Sequence, residues 1–177
     1  MKGTTFRIIL PQKPELLDGG IETLQQPTQN TPTQNSIAAH NKTYDLAHLS
    51  SRALLLAEDN PVNQQIFAKM LEQQGLVCDI VANGALAVER CKTSHYDLIL
   101  MDCEMPIMNG FDAATAIRIW EANCDKAPVP IIALTGHSQT SVEDRYVKSG
   151  MSGYLQKPIK KNQLYQILLT WLDEPKS

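Results

Sequence analysis

The run Leu98-Ile99-Leu100-Met101 is apolar without alternation and ends on a carboxylate, Asp102. An unbroken apolar run of this length suits a strand buried on both faces, as in a parallel sheet covered by helices. Such a run can end in a charge only where the strand emerges at its carboxyl end, the edge at which open α/β sheets place their ligands. Met105-Pro106 and Asn109-Gly110 follow as turn chemistry, so the chain leaves the sheet sharply after Asp102.

Other stretches repeat the pattern. Ala53-Leu54-Leu55-Leu56-Ala57 runs into Glu58-Asp59; Ile131-Ile132-Ala133-Leu134 ends in Thr135-Gly136; Gly153-Tyr154-Leu155 ends in Gln156-Lys157-Pro158. If these strands are parallel neighbours, one rim collects the carboxylates of Glu58, Asp59 and Asp102, the hydroxyl of Thr135 and the ammonium of Lys157. Three clustered acids repel unless a divalent cation joins them, and hard oxygen ligands suit Mg²⁺. A metal, a nucleophilic carboxylate and a cation for a phosphoryl group read as a phospho-aspartate site.

Between the strands lie amphipathic segments of helical length, the signature of βαβ units. Asn60 and Pro61 are start signals for a first helix that carries Val62, Ile66, Phe67, Met70 and Leu71 at helical spacing and ends at Gly75. A strand from Cys78 to Val81 precedes a helix from about Ala85 to Thr93, and a third helix is expected over Phe111 to Ala122. Thr140 with Glu143 makes a capping box for a fourth helix, closed by Gly150. The last begins near Lys161 and carries Leu164, Ile167, Leu168, Trp171 and Leu172 on its apolar face. Right-handed crossovers then give a doubly wound (βα)5 α/β fold with a flavodoxin-like parallel sheet in the order 2-1-3-4-5.

This unit is expected over residues 52–173, with 174–177 as a tail. Ahead of it, residues 25–36 use only Gln, Pro, Thr, Asn and Ser, which cannot bury enough apolar area to offset chain entropy. Residues 12–51 are therefore expected to be a flexible linker, with a helical turn between His40 and Ser51. Residues 1–11 read as a lone strand. The 16 basic and 19 acidic residues balance to a net charge of -3, which gives no reason to expect nucleic-acid binding or membrane contact through bulk charge. No apolar stretch approaches the roughly 18 residues of a membrane span, and no signal peptide is recognisable. Cys78, Cys91, Cys103 and Cys124 form no C-x-x-C pair and are expected as buried free thiols in a reducing cytosol.

At this point the chain resembles a known family. Glu58-Asp59-Asn60, Met101-Asp102-Cys103-Glu104-Met105-Pro106 with Asn109-Gly110, Leu134-Thr135-Gly136, and Tyr154 with Lys157-Pro158 look like the receiver domain of two-component response regulators. The wording around Glu58 and Asp102 is most similar to receivers fused to hybrid sensor histidine kinases. Gly3-Thr4-Thr5-Phe6 with Leu10-Pro11 resembles the last strand of the ATPase domain of those kinases, with Met1 where the first glycine of that motif would stand.

The resemblance implies roles. Asp102 is the phosphoryl acceptor, storing the group as an acyl phosphate. Asp59 binds Mg²⁺ directly, together with Asp102 and the backbone carbonyl of Glu104, and Glu58 acts through a water. Lys157 pairs with a phosphoryl oxygen and, before phosphorylation, with Asp102; its bond to Pro158 is usually cis in the family. Thr135 shifts toward the phosphoryl group while Tyr154 changes rotamer behind it. Glu104 and His137, two residues beyond the acceptor and the threonine, tune phosphate lifetime. Position 58 is Glu where Asp is often seen, and Gly136 stands where Ala is frequent.

The implied donor is a phosphohistidine on the dimerisation domain of a parent kinase, since neither G-x-G-x-x-G nor a P-loop precedes any helix. The fragment is thus not a kinase by itself, though it would catalyse its own aspartyl phosphorylation. The implied acceptor is a separate histidine phosphotransfer protein, docked through Asn63 and Phe67, and the implied location is cytoplasmic, with a parent that can be membrane-anchored. Two alternatives stay open: a Mg²⁺-dependent aspartyl phosphatase of the haloacid dehalogenase type, whose D-x-D-x-[TV] pattern is absent around Asp102, and a degenerate receiver used only for docking.

Overall fold

Each apolar strand is followed by a connection far too long for a hairpin, so the chain must cross over and re-enter the sheet in the same direction. The computed structural model describes residues 44–136 and 145–173. In chain order these are β1 (Leu54–Ala57), α1 (Pro61–Glu72), β2 (Cys78–Val81), α2 (Gly84–Thr93), β3 (Leu98–Asp102) and α3 (Gly110–Asn123). There follow β4 (Ile131–Thr135), helical residues 145–148 (α4), β5 (Gly153–Gln156) and α5 (Lys161–Leu172). The five strands pair in parallel in the order β2-β1-β3-β4-β5, as expected.

Every residue of the central strands β1, β3 and β4 is buried, which accounts for their lack of alternation. Edge strand β2 fully buries only Val81. Alternate strand residues feed two cores. Leu55, Ile99, Met101 and Ala133 face Ala87, Ala113 and Ile117 of α2 and α3. Leu54, Leu56, Leu100 and Leu134 face Phe67 and Leu71 of α1 and Leu164 and Leu168 of α5. Burying each large aliphatic is worth about 1.5–3 kcal/mol relative to leaving it exposed.

The helix signals hold where they are described. The Asn60 side chain accepts from the Val62 N–H at 2.9 Å, Asn83 and Asn109 cap α2 and α3 in the same way, and Gly75 and Gly150 take positive φ after their helices. The capping box of Thr140 and Glu143, the N-terminal strand of residues 1–11 and the tail all lie outside the described residues.

Two expectations need correction, and on α1 the structure divides an apolar face that the spacing left open. Residues 44–51, assigned to the flexible linker, pack on the domain: Leu46 and Leu49 are buried beside the α1–α5 core, and the Tyr44 ring meets Tyr165 edge-on at 5.7 Å. Their apolar residues are sparse in sequence, but a 3₁₀ turn over Ala47–Leu49 brings Leu46 and Leu49 to one side. On α1, the apolar arc is wider than the core it meets. Phe67 and Leu71 are buried, whereas Val62 and Ile66 are exposed. Among the cysteines only Cys91 and Cys103 are buried; Cys78 on the edge strand is half-buried and Cys124 caps α3 in solvent.

Candidate functional site

Parallel pairing with the observed register aligns the strand ends. Leu134, one residue before Thr135, lies opposite Asp102, and Ala57, one before Glu58, lies opposite Met101. Glu58, Asp102, Thr135 and Lys157 therefore converge at one edge of the sheet, and Asp59 joins them at the tip of β1. Oxygens of Glu58, Asp59 and Asp102 all lie within 4.8 Å of one another.

The Lys157 ammonium bridges the two buried carboxylates, donating to Asp102 Oδ2 at 2.7 Å and to Glu58 Oε2 at 2.9 Å. Asp102 is 4% exposed, and its other oxygen, Oδ1, accepts the Glu104 N–H at 3.1 Å. Glu58 is 1% exposed; its Oε1 accepts from the Asn63 amide at 2.9 Å and more weakly from the Asn60 N–H at 3.3 Å. Such partners are what a buried charge requires.

Burial raises the Asp102 pKa above its ordinary value, and the nearby Glu58 charge adds to this; the hydrogen bonds from Lys157 and Glu104 offset only part. Burial by itself would lower Lys157, but its bonds to Asp102 and Glu58 outweigh it and hold the ammonium above its ordinary value. The Lys157 shift and the smaller Glu58 contribution at Asp102 reflect a pocket with more carboxylates than cations. That surplus, the all-oxygen donor set and the exposure of Asp59 to solvent fit a hard divalent cation such as Mg²⁺. Next to Asp102, the Cys103 thiol is pushed up to about 12 by burial, so it is a poor nucleophile.

Thr135 is buried at the end of β4, and its carbonyl accepts the Lys157 N–H at 2.7 Å. The Lys157–Pro158 bond is cis, as the resemblance implied. Tyr154 packs its ring at 5.3 Å from Tyr146 of α4, and its buried hydroxyl finds no partner among the described residues. Glu104 is exposed beside Asp102, while His137 lies outside the described residues.

The two residues expected at a docking surface turn inward. Phe67 is only 4% exposed and belongs to the core, and Asn63 turns inward to hold Glu58. Both still line a groove of about 410 Å³ with Ile66, Met70, Pro158 and Ile159, which reaches Lys157. Its solvent-facing part is Ile66, at 47% exposure, together with exposed Pro158.

Two further contributors carry only weak sequence signals. Gln64 donates to the Glu58 carbonyl at 2.6 Å, anchoring the tip of β1 to α1. Gly110 approaches so closely that a Cβ there would overlap the Asp102 carbonyl oxygen. The Asn109-Gly110 pair marks a turn in sequence, but that contact is invisible there.

Residues 54–169 match the family model for the response regulator receiver domain. The chain belongs to that family. Among curated relatives of this receiver, the sensor protein GacS of Pseudomonas syringae pv. syringae is 42% identical over 125 residues, which cover 70% of this chain and 14% of that protein. Hybrid signal transduction histidine kinase B of Dictyostelium discoideum is 45% identical over 119 residues, covering 63% of this chain and 6% of that one. The receiver thus spans a small part of the length of the curated relatives it matches.

Solved receiver structures agree in fold. The receiver domain of the sensor histidine kinase PA1611 from Pseudomonas aeruginosa PAO1, which has a magnesium ion coordinated in its active-site cleft, is 37% identical with a TM-score of 0.61. That likeness covers 70% of this chain and 98% of that one. The receiver domain of Ssk1 from Saccharomyces cerevisiae, in co-crystals with the histidine phosphotransfer protein Ypd1, is 30% identical with a TM-score of 0.67, covering 69% and 89%. Among the described residues no helix is long and apolar enough to cross a membrane.

Proposed function

We propose that this receiver accepts a phosphoryl group from a phosphohistidine onto Asp102 and passes it to a separate histidine phosphotransfer protein. The observation that carries the reading is the Lys157 ammonium, 2.7 Å from Asp102 and 2.9 Å from Glu58 at the converged strand tips. An ammonium held there by two carboxylates is placed to turn to a phosphoryl oxygen while keeping its contact with Glu58.

An Asp102 carboxylate oxygen attacks phosphorus, the P–O bond forms, and the P–N bond breaks with its electron pair going to the imidazole nitrogen, which takes a proton from solvent. Transfer onward reverses these bond changes on a second imidazole. Asp59, Asp102 and the carbonyl of Glu104 would hold Mg²⁺, with Glu58 acting through a water or through its Lys157 contact; the ion supplies charge neutralisation for the phosphoryl oxygens. The likeness to a magnesium-bearing receiver and the oxygen-only donor set support this assignment.

Thr135 moves its hydroxyl to the phosphoryl group and Tyr154 repacks behind it. The lack of a described partner for the Tyr154 hydroxyl supports a ring that is not locked in place. Glu104 and His137 set the lifetime of the acyl phosphate. The donor is the dimerisation-domain phosphohistidine of a parent hybrid kinase, in which residues 1–11 would close the ATPase domain, and the setting is cytoplasmic. The likeness to hybrid kinases and to a Ypd1-bound receiver supports these partners.

The test is phosphotransfer profiling against a panel of phosphorylated histidine phosphotransfer proteins that includes Ypd1. Transfer of label to the full chain, absent in Asp102→Asn, is expected from at least one. Failure with every donor, in a chain that acetyl phosphate can still label, would count against relay.

A further inference from the structure

Ile107 sits in the loop between β3 and α3, five residues after the acceptor, and is 86% exposed. Its φ is +70°, a left-handed backbone that β-branched residues strongly avoid. The Met108 N–H donates back to the Pro106 carbonyl at 2.8 Å, closing a three-residue turn with positive φ at its centre, a rare and strained form. The position would suit glycine or asparagine, yet it carries a large aliphatic side chain in solvent.

The turn is clamped on both sides. The Gly84 N–H donates to the Met108 carbonyl at 3.0 Å, and the Gly110 N–H donates to the Cys103 carbonyl at 3.2 Å. Met105 beneath it is buried. The backbone that carries Ile107 is therefore fixed at the rim. Of the exposed large aliphatics among the described residues, Val62, Leu86 and Ile107 each lie within a few residues of a strand tip at the carboxyl edge. That edge is where Asp102 opens.

We infer that Ile107 is an apolar anchor for the histidine phosphotransfer partner, inserting into that protein's surface beside its reactive histidine. Asp102 is 4% exposed, so an imidazole carried on a protein can reach it only if the partner's surface closes over the surrounding rim. The strained turn follows β3 directly on that rim, and the groove beside α1 reaches the same rim at Lys157. A backbone already fixed and a β-branched side chain with few χ1 rotamers lose little freedom on contact, which favours Ile107 as an anchor. This inference rests on the relay reading.

The experiment compares Ile107→Gly, Ile107→Asn and Ile107→Leu in the full chain, using the phosphotransfer protein that exchanges fastest with the wild type. Glycine and asparagine relieve the backbone strain, so melting temperature should hold or rise. Labelling by acetyl phosphate should stay within about twofold, while transfer slows by about tenfold or more, the effect of losing an interface anchor. Ile107→Leu keeps the apolar contact and should retain most of the transfer rate. Unchanged transfer in Ile107→Gly would overturn the anchor, as would an equal fall in acetyl phosphate labelling, which would make the turn a support for Asp102. A wild type that labels with acetyl phosphate but exchanges with no phosphotransfer protein overturns the relay reading itself, and with it the anchor.

Discussion

The Lys157 ammonium lies 2.7 Å from the Asp102 carboxylate although the two residues are 55 positions apart in the chain. β4 and β5 bridge that separation: Asp102 pairs with Leu134, and Thr135 at the end of β4 pairs with Gln156, next to Lys157. The contact neutralises part of the pocket's charge and occupies one Asp102 oxygen.

The raised pKa of Asp102 means that its ionised form opposes folding. Its folded value lies above the ordinary carboxylate value of about 3.9, so stability falls as pH rises through the folded value. Asp102→Asn mimics the neutral acid at every pH. In EDTA at neutral pH the variant should melt higher than wild type, and the gain should vanish below about pH 3.9, where both forms of the wild type are protonated. Calorimetry across pH checks this.

Lys157→Met leaves Glu58 and Asp102 buried without their cation. Breaking a buried pair from one side costs about 3–5 kcal/mol; with the lysine side chain 25% exposed, a loss of about 2–4 kcal/mol is expected by denaturant unfolding at neutral pH. The Lys157 pKa is raised, so the wild-type advantage is present below the unfolded value of about 10.4 and disappears as pH rises through the folded value above it.

Two glycines at the site should respond differently. A Cβ at Gly110 collides with the Asp102 carbonyl and comes within 2.9 Å of Met101, so Gly110→Ala should lose about 1–3 kcal/mol and slow labelling of Asp102. At Gly136 a Cβ meets nothing within 4 Å, and Gly136→Ala should unfold within about 0.5 kcal/mol of wild type.

Phe67 and Ile66 are adjacent on α1 but face different surroundings. Phe67→Ala should cost about 3–5 kcal/mol, as expected for a buried aromatic, and any effect on relay would follow that loss. Ile66→Ala, at 47% exposure, should change stability little while slowing exchange with the phosphotransfer protein. Thermal melts run beside transfer rates separate the two.

The sheet order and the convergence of Glu58, Asp59, Asp102, Thr135 and Lys157 were legible because apolar runs ending in polar groups encode both burial and direction. What escaped the pattern was orientation around a helix. Val62, Ile66, Phe67, Met70 and Leu71 form one broad arc on α1, and only packing against β1 and α5 decides that Phe67 and Leu71 turn in while Val62 and Ile66 stay out. Asn63 reads as a surface residue until Glu58 is placed beside it. The segment 44–51 looked like linker because its contacts are tertiary: Tyr44 on Tyr165, and His48 Nε2 at 2.9 Å from Asp173 Oδ1.

The most direct measurement is the intact mass of the chain after incubation with acetyl phosphate, with and without Mg²⁺. The account predicts a gain of one phosphoryl group, dependent on Mg²⁺, mapped to Asp102 and missing from Asp102→Asn. No gain in the wild type, or the same gain in Asp102→Asn, would contradict it.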